Sequence, residues 1–505
     1  MRIRDSVYSE KFIFLIFIGF VFIFCYRYIS YLPLGYDGAL FLQVPKSLVL
    51  FNEYRSNSAW FDPAITTGFP VLVPIYFIFY LFGIGLLQSR IIMLIYFLSF
   101  VTIVFHSFKK NVKNFYISLF LLITFIIILF STIPHIMYFV VDPMGEIPTV
   151  LFFLFSIYIM ASVYKTQLNK YSGQRSYNYN VLIAGILMGL SIETKIIMWI
   201  GYVSYLVMFL LLYFTKKSVR RLILKIFFIF TLSVFLPILL FKGIQFKHFG
   251  LTDFIRYNIK SVEFLSTHPG SGLKSSSLSI WEILSKHIKL LNFNIHFSTP
   301  MLIAIFGLIV LYLFFALKRN KYYIVQFIVF VVLFSFWWLF INQSFWLRHF
   351  VPALILLSLC IVLAFWDICL YLFKKKKFWV LVIIVSTLIP FVKSQSKILA
   401  VNLGTLEYKS QLDRQINLAN YIRDNLYLKK VYYSNPWEAP EISFLADKTF
   451  IKLEESQLDK KEDKYLILTS FQKSWDSFSY QSSKARCKEV VYKDVNDPFN
   501  LICIF

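Results

Sequence analysis

Long apolar segments fill most of the chain between Phe12 and Val392, and short polar segments separate them. A helix of about 18 or more apolar residues spans the hydrocarbon core of a bilayer, and one soluble core could not bury so many such segments. The pattern predicts about eleven crossings, at Phe12–Leu32, Ile91–Phe108, Phe115–Pro134, Ile147–Tyr164, Val181–Ile192, Ile196–Phe214, Leu222–Leu240, Pro300–Leu317, Tyr323–Ile341, Phe350–Phe373 and Phe378–Val392. Residues 1–393 are therefore predicted to form an all-α polytopic membrane domain.

Clusters of lysine and arginine between alternate crossings set the predicted orientation. By the positive-inside rule these segments face the cytoplasm, which places the N-terminus there and, after an odd number of crossings, the C-terminus outside. The segment Phe69–Leu87 contains two prolines and two glycines. If it crossed the membrane, every later basic cluster would be inverted, so we expect a helix that dips into the outer leaflet.

The last segment, residues 394–505, is charged and has a different pattern. QLDRQINLANYIRDNL has helical spacing, whereas KVYYSN, KYLILTS, KEVVYKD and FNLICIF read as short strands. We predict a small extracytoplasmic α/β domain. Cys487 and Cys503 lie in it, in a compartment that permits disulfides, but sequence spacing leaves open whether they are bridged.

Composition excludes an ordinary soluble enzyme: 58% of the residues are hydrophobic and 15% are charged, against roughly 45–50% and 25% in soluble domains. The net charge of +24 comes from clusters between apolar segments, so it indicates membrane topology rather than nucleic-acid binding. The sequence has no phosphate-binding glycine loop and no cysteine pattern for a metal. No cofactor is predicted, although a divalent metal stays open.

The first outer loop places Asp37 a few residues after the first crossing. Desolvation beside a bilayer raises the proton affinity of a carboxylate, which suits a general base acting on a hydroxyl. The alternative is that Asp37 only caps the next helix. That helix, Gly38–Tyr54, has near-helical apolar spacing and is expected along the membrane surface.

The second outer loop holds Asp142 and Glu146, four residues apart. They are either a second acidic wall opposite Asp37 or a solvated loop with a helix beginning at Glu146. Two carboxylates could also contribute to a divalent-cation site, but they are an incomplete ligand set.

Cationic side chains recur at the same predicted face. Lys195 lies in GLSIETK, beside Glu193, with which it could pair, and Arg348 and His349 lie in WLRHFVPA. A guanidinium at the mouth of a crossing can hold a lipid phosphate, although an interfacial arginine beside Trp346 is an equally simple interpretation. The further candidates for phosphate binding are Lys195, His349, Arg55 and Lys46.

Together, Asp37 after the first helix, the loop FDPAITTGFPVLVPIYFIFYLFG, the acidic second loop, GLSIETK and WLRHFVPA resemble the GT-C superfamily of membrane glycosyltransferases. Among these, bacterial family 39 members, related to protein O-mannosyltransferases and the aminoarabinose transferase, are the most similar. The position after Asp37, usually acidic in this family, is Gly38.

The resemblance implies transfer of a sugar from a polyprenyl-phosphate donor to a glycan, lipid or protein acceptor at the outer face of the cell membrane, with inversion. It implies Asp37 as general base, Asp142 or Glu146 as the second-loop acid, and Arg348 on the phosphate leaving group.

Two other classes of protein stay open. A lipid-linked saccharide flippase or transporter would also be basic and polytopic, but its charges tend to lie near the midplane. Here Asp367, expected near Lys374, is the main exception. An O-antigen polymerase or ligase should carry its chemistry in a large late outer loop. The predicted loop from about Lys242 to Ser298, with Arg256, His268, Trp281 and His287, keeps that alternative open.

Overall fold

The computed structural model describes fourteen ranges of the chain, and every feature given below belongs to them. They are residues 2–54, 68–167, 174–267, 278–296, 299–343, 345–374, 396–404, 406–426, 428–433, 439–448, 450–452, 464–475, 477–495 and 497–504. Through residue 374 these ranges are almost entirely helical. The helices are α1 (Arg2–Ile29), α2 (Tyr36–Phe51), α3 (Phe69–Phe82), α4 (Leu86–Val112), α5 (Phe115–Thr132), α6 (Ile136–Val141), α7 (Glu146–Gln167), α8 (Gln174–Thr194), α9 (Trp199–Thr215), α10 (Arg220–Thr267), α11 (Ile280–Ile295), α12 (Thr299–Lys318), α13 (Tyr322–Phe336) and α14 (Val351–Lys374).

Eight helices within these ranges are long and apolar enough to cross a membrane, and the protein is therefore a multi-pass membrane protein. Of the other predicted crossings, Val181–Ile192 lies inside α8, and Pro300–Leu317 overlaps a shorter apolar helix, Leu302–Lys318. Phe378–Val392 lies outside the described residues. The total of eleven crossings stays a prediction.

Helix α3 occupies the segment that was predicted not to cross. Its 14 residues give a helix of about 21 Å, shorter than the roughly 30 Å of a hydrocarbon core. It ends at Gly83, whose φ of 84° is a backbone conformation that favours glycine. The structure thus has a helix in this segment, and its predicted position in the outer leaflet stays a prediction.

The prediction of a large loop from Lys242 to Ser298 is wrong for the described residues of this segment, because most of them are helical. Helix α10 continues to Thr267 through one break at Gly250, where φ is 70°. Helix α11 begins with a capping box, in which Ser279 and Glu282 each bind the other's backbone N–H. The apolar residues continue past Leu240 at a spacing that a helix uses, which the prediction of a loop ignored.

The chain divides into two compact units. The first unit comprises Met1–Val21, Tyr96–Ile136 and Gly145–Leu403, and the second comprises Phe22–Ile95, Met137–Met144 and Gly404–Phe505. The predicted division at 393/394 falls on residues outside those that are described.

Close helix packing and buried ion pairs hold the first unit. Helices α8 and α10 touch where Gly185 and Gly189 lie against the backbone carbonyls of Phe230 and Val234, which leaves no room for a Cβ. Asp367 accepts hydrogen bonds from Lys321 Nζ at 2.7 Å and from the Tyr312 hydroxyl at 2.8 Å. Its partner is thus Lys321, and the side chain of the expected partner Lys374 lies outside the description.

The tail contributes a small α/β fold to the second unit, as the sequence predicted. Helices α15 (Leu406–Asn425), α16 (Ala439–Leu445), α17 (Ser470–Trp475) and α18 (Ser477–Ala485) accompany strands β1 (Val431–Tyr433), β2 (Ile451–Lys452), β3 (Tyr465–Leu468), β4 (Glu489–Lys493) and β5 (Leu501–Ile504). The sheet order is β2-β1-β3-β5-β4; β1 is parallel to both β2 and β3, and β5 is antiparallel to both β3 and β4. The two-residue strand β2 escaped prediction because so short a segment has no visible period.

A disulfide joins Cys487 and Cys503, with their Cα atoms 5.6 Å apart. It connects the start of β4 to β5 and settles the pairing that the sequence left open. One face of the sheet packs on buried side chains of α15 and α16, among them Leu418, Ile422 and Ile442.

Candidate active-site loops and charged clusters

Asp37 lies in the first turn of α2, in the second unit, and its side chain is half-buried. The N-cap residue is Gly35, so the alternative that Asp37 is the cap is wrong. A carboxylate in the first turn is favoured by the helix dipole. From Gly38 to Ser47 every residue of α2 is buried, and α3 and α16 pack against it. Protein therefore covers most of this helix, and its expected orientation along the membrane surface stays a prediction.

Asp142, also in the second unit, is completely buried and its carboxylate is fully engaged. Oδ1 accepts hydrogen bonds from Arg90 Nε at 3.2 Å and Nη2 at 3.0 Å, and Oδ2 accepts the Gly35 N–H at 2.9 Å. Burial raises the pKa of Asp142, and Arg90 and the Gly35 N–H act in the opposite direction. Its oxygens are therefore occupied by the protein.

The first and second loops meet around Asp142. A Cβ added to Gly35 would lie 3.1 Å from Asp142 Oδ2, and one added to Gly38 would lie 3.2 Å from the same atom. These glycines flank Asp37 on both sides, so the start of α2 lies against Asp142. The contact also explains Gly38: a second acid after Asp37 would collide with Asp142 and repel its charge.

Arg90 was assigned no role from the sequence, yet it links three segments. Besides Asp142, it donates from Nη1 to the Ile29 carbonyl at 2.7 Å and from Nη2 to the Pro33 carbonyl at 3.0 Å. The signal was present, since an arginine in an apolar helix is costly unless it is paired. Its partner could not be read from the sequence, because Asp142 lies 52 residues away.

Glu146 and Lys195, both in the first unit, form an ion pair. Lys195 Nζ donates to Glu146 Oε1 at 2.5 Å, whereas Glu146 Oε2 is buried without a hydrogen-bond partner among the described residues. The alternative that Lys195 pairs with its neighbour Glu193 is therefore wrong. Thr149 and Ser191 hold the two helix ends together, each hydroxyl donating to the other's carbonyl, at 2.7 and 2.8 Å.

Arg348 and His349 lie in a 3₁₀ turn, Leu347–Phe350, in the same unit. The Arg348 guanidinium lies 4.2 Å from the centre of the Trp346 ring, which is a cation–π distance. The His349 imidazole has the Asn342 side chain as a hydrogen-bond partner, with His349 Nδ1 3.2 Å from Asn342 Nδ2. Three of the predicted phosphate-binding residues, Lys195, Arg348 and His349, belong to the first unit, and Arg55 lies outside the described residues.

Aromatic side chains support the Arg348 turn. His287, on α11, lies between the rings of Trp338 and Phe345, with ring centres 4.2 and 4.8 Å away. Trp338 in turn stacks on Phe350 at 4.5 Å. Burial lowers the pKa of His287 to about 4, so the imidazole is neutral. The sequence had singled out His287 only for the polymerase alternative.

Within the described ranges, no group of three or more His, Cys, Asp or Glu residues is arranged to hold a metal ion. No site for a divalent metal is therefore assigned among the described residues.

Comparison with known proteins gives matches in structure and none in sequence. No protein-family model matches the chain, and no curated protein matches it. The structure is similar to ArnT from Cupriavidus metallidurans in the apo state, with a TM-score of 0.61 and 11% identity over 98% of both chains. ArnT bound to undecaprenyl phosphate gives 0.60 and 10% over 97% of this chain and 98% of that one.

A second similar structure is the archaeal oligosaccharyltransferase AglB from Archaeoglobus fulgidus, in complex with an inhibitory peptide and a dolichol phosphate. Its TM-score is 0.52 at 11% identity, over 88% of this chain and 64% of that one. At these identities the likeness concerns the fold. It confirms the architecture that the resemblance predicted: the chain has an ArnT-like fold.

Proposed function

We propose that this protein transfers a sugar from a polyprenyl-phosphate-linked donor to an acceptor hydroxyl at the outer face of the cell membrane, with inversion at the anomeric carbon. The observation that supports this most is the likeness in fold, over nearly the whole length of both chains, to ArnT, which has been crystallised with undecaprenyl phosphate. The N-terminus is cytoplasmic and the tail is extracytoplasmic in this proposal, which rests on the positive-inside rule.

The proposed chemistry is a single displacement. Asp37 removes the proton from the acceptor hydroxyl while that oxygen bonds to the anomeric carbon. The bond between the anomeric carbon and the phosphate oxygen breaks, and its electrons leave with the polyprenyl phosphate. Attack from the opposite side inverts the configuration. Lys195, Arg348 and His349 supply donors and positive charge for the phosphate, whose negative charge grows as it leaves.

The two second-loop acids have different proposed roles. Asp142 has both oxygens bound to Arg90 and Gly35, so it supports the loop that carries Asp37 rather than exchanging a proton. Glu146 holds Lys195 through one oxygen. Its other oxygen is buried without a partner among the described residues, so it can bind a substrate hydroxyl.

The test uses purified protein in nanodiscs and undecaprenyl phosphate carrying tritiated hexose, pentose or aminopentose. Cell-envelope extracts serve as acceptors. Label should pass to the envelope fraction and undecaprenyl phosphate should be released. Arg348→Ala should raise the KM for the donor by about tenfold or more, because a charge-assisted phosphate contact is lost.

Arg319→Ala is the matched control. Arg319 also lies over an aromatic ring, that of Phe315 at 4.0 Å, but belongs to a predicted cytoplasmic cluster. It should leave the KM unchanged. In sealed proteoliposomes, label that crosses the membrane while still attached to its lipid would indicate a flippase and overturn the proposal. An unchanged KM in Arg348→Ala would overturn the phosphate assignment.

A further inference from the structure

Side chains bind five backbone groups of the segment that leads into α2. Gln415, on α15, accepts the Leu34 N–H at its Oε1 at 3.0 Å and donates from its Nε2 to the Leu34 carbonyl at 3.2 Å. Leu34 and Gln415 are both buried, at 1% and 3% exposure. One side-chain amide thus satisfies both backbone groups of one residue, three positions before Asp37.

The neighbouring backbone groups are bound by the ion pair described above. Arg90 donates hydrogen bonds to the Ile29 and Pro33 carbonyls, and Asp142 accepts one from the Gly35 N–H. Residues 29–35 are therefore fixed by three side chains from distant parts of the sequence. The conformation of this segment sets where the first turn of α2, and with it Asp37, begins.

The tail also holds the other end of α2. Lys46 Nζ lies 2.7 Å from Asp447 Oδ1, and the Lys46 ammonium lies 5.5 Å from the centre of the Phe444 ring. Lys46 had been considered for phosphate binding, but this pairing with Asp447 accounts for its charge. The tail thus contacts the Asp37-bearing helix at its entry through Gln415 and in its later turns through Asp447.

We propose that Gln415 is a positioning residue for Asp37, so that the C-terminal α/β fold is a part of the catalytic apparatus. The inference rests on the proposed function and deepens it. A rigid carboxylate is needed because displacement of a reacting group by about 1 Å can cost on the order of 100-fold in rate. Gln415 provides that rigidity because its side-chain amide binds both the N–H and the carbonyl of Leu34, as a neighbouring strand would do in a sheet.

Three variants test this role. Gln415→Met keeps the length of the side chain but removes both hydrogen bonds. Gln415→Glu keeps the acceptor for the Leu34 N–H, and it regains a donor for the Leu34 carbonyl only when its carboxyl is protonated. Gln411→Glu, one turn earlier on the same helix and half-buried, is the control for added charge.

Two measurements should respond to the variants. In Gln415→Met, kcat should fall about 10-fold to 100-fold with the donor KM changed less than threefold, and amide exchange at Leu34 should accelerate about tenfold. The rate of Gln415→Glu relative to wild type should rise as pH falls, because protonation of the introduced carboxyl restores the donor. Gln411→Glu should show none of these changes. A role limited to overall stability would lower the folded fraction of the variants but leave kcat per folded molecule unchanged.

Amide exchange needs no substrate, so it separates this inference from the proposed function. If Gln415→Met leaves both Leu34 exchange and kcat at wild-type values while Asp37→Asn is inactive, the inference is overturned and the proposed function stands. If wild type transfers no sugar, the proposed function fails, and Leu34 exchange alone still decides whether Gln415 holds the loop. A pH-independent ratio for Gln415→Glu would also overturn the positioning role.

Discussion

The segment that carries Asp37 and the turn that carries Arg348 are both held in place, but by different means. Around Asp37 the interactions are hydrogen bonds and one buried ion pair, from Arg90, Asp142 and Gln415. Around Arg348 aromatic rings contribute, with Trp346 under the guanidinium and His287 between Trp338 and Phe345, beside a hydrogen bond from Asn342 to His349.

The difference follows from what each segment presents. Several backbone groups of residues 29–35 have side chains as their hydrogen-bond partners. Such partners are needed because buried backbone groups must be hydrogen-bonded. At the other region the ring of Trp346 stabilises the Arg348 cation, and a ring face does not compete with a phosphate for the guanidinium as a carboxylate would. The first region should therefore fail when one charge is removed, and the second when an aromatic contact or the neutrality of His287 is lost.

The largest effect is expected from Arg90→Met. The substitution leaves Asp142 buried and without its charged partner, which typically costs about 3–5 kcal/mol of unfolding free energy. The measurement is the unfolding transition of the purified protein in detergent. Arg319→Met, at an exposed position, is the control and should change stability little.

A double variant sharpens the same prediction. In Arg90→Met combined with Asp142→Asn the uncompensated charge is absent, so a large part of the lost stability should return. If Arg90→Met alone unfolds like wild type, then the polar network does not hold this region in the way described.

A smaller effect is expected from acid in the aromatic region. Burial lowers the pKa of His287 to about 4, below the roughly 6.5 of an exposed histidine. Between these two pH values His287 is protonated in the unfolded chain but neutral in the folded chain. The stabilisation is fully present above about pH 6.5 and is lost as the pH falls toward 4. Its full size is up to about 3 kcal/mol.

His287→Phe keeps a ring between Trp338 and Phe345 but cannot titrate. As the pH is lowered from 7 to 4, the free energy of unfolding of this variant should rise relative to that of wild type. The measurement is the unfolding transition of both proteins at several pH values. His248→Phe, at an exposed position, is the control and should parallel wild type. A constant difference between His287→Phe and wild type across this range would contradict the neutral, stacked histidine.

The sequence predicted those features that depend on local pattern. Helix α1 and the strands of the tail follow from periodicity, and the meeting of the Asp37 and Asp142 loops follows from placing both on one face. The cationic residues Lys195, Arg348 and His349 were likewise assigned to one face, and the structure gathers them in the first unit.

Features that depend on distant partners could not be predicted. The burial of helix α2 is one such feature, because α16, which packs against it, lies almost 400 residues later in the chain. Gln415 and Leu34 are separated by 381 positions, and nothing in the spacing of either segment indicates the other. Arg90 gave a signal by its cost in an apolar helix, but its carboxylate partner had to be seen.

The most direct test of the account is the turnover of Asp37→Asn in nanodiscs with the labelled undecaprenyl-phosphate sugar that wild type uses. The amide keeps the size of the side chain but cannot accept the proton of the acceptor hydroxyl. We predict that kcat falls by about 10²–10⁴-fold, while the donor KM stays within threefold and unfolding stays unchanged. Turnover at the wild-type rate would show that another group is the base and would contradict the account.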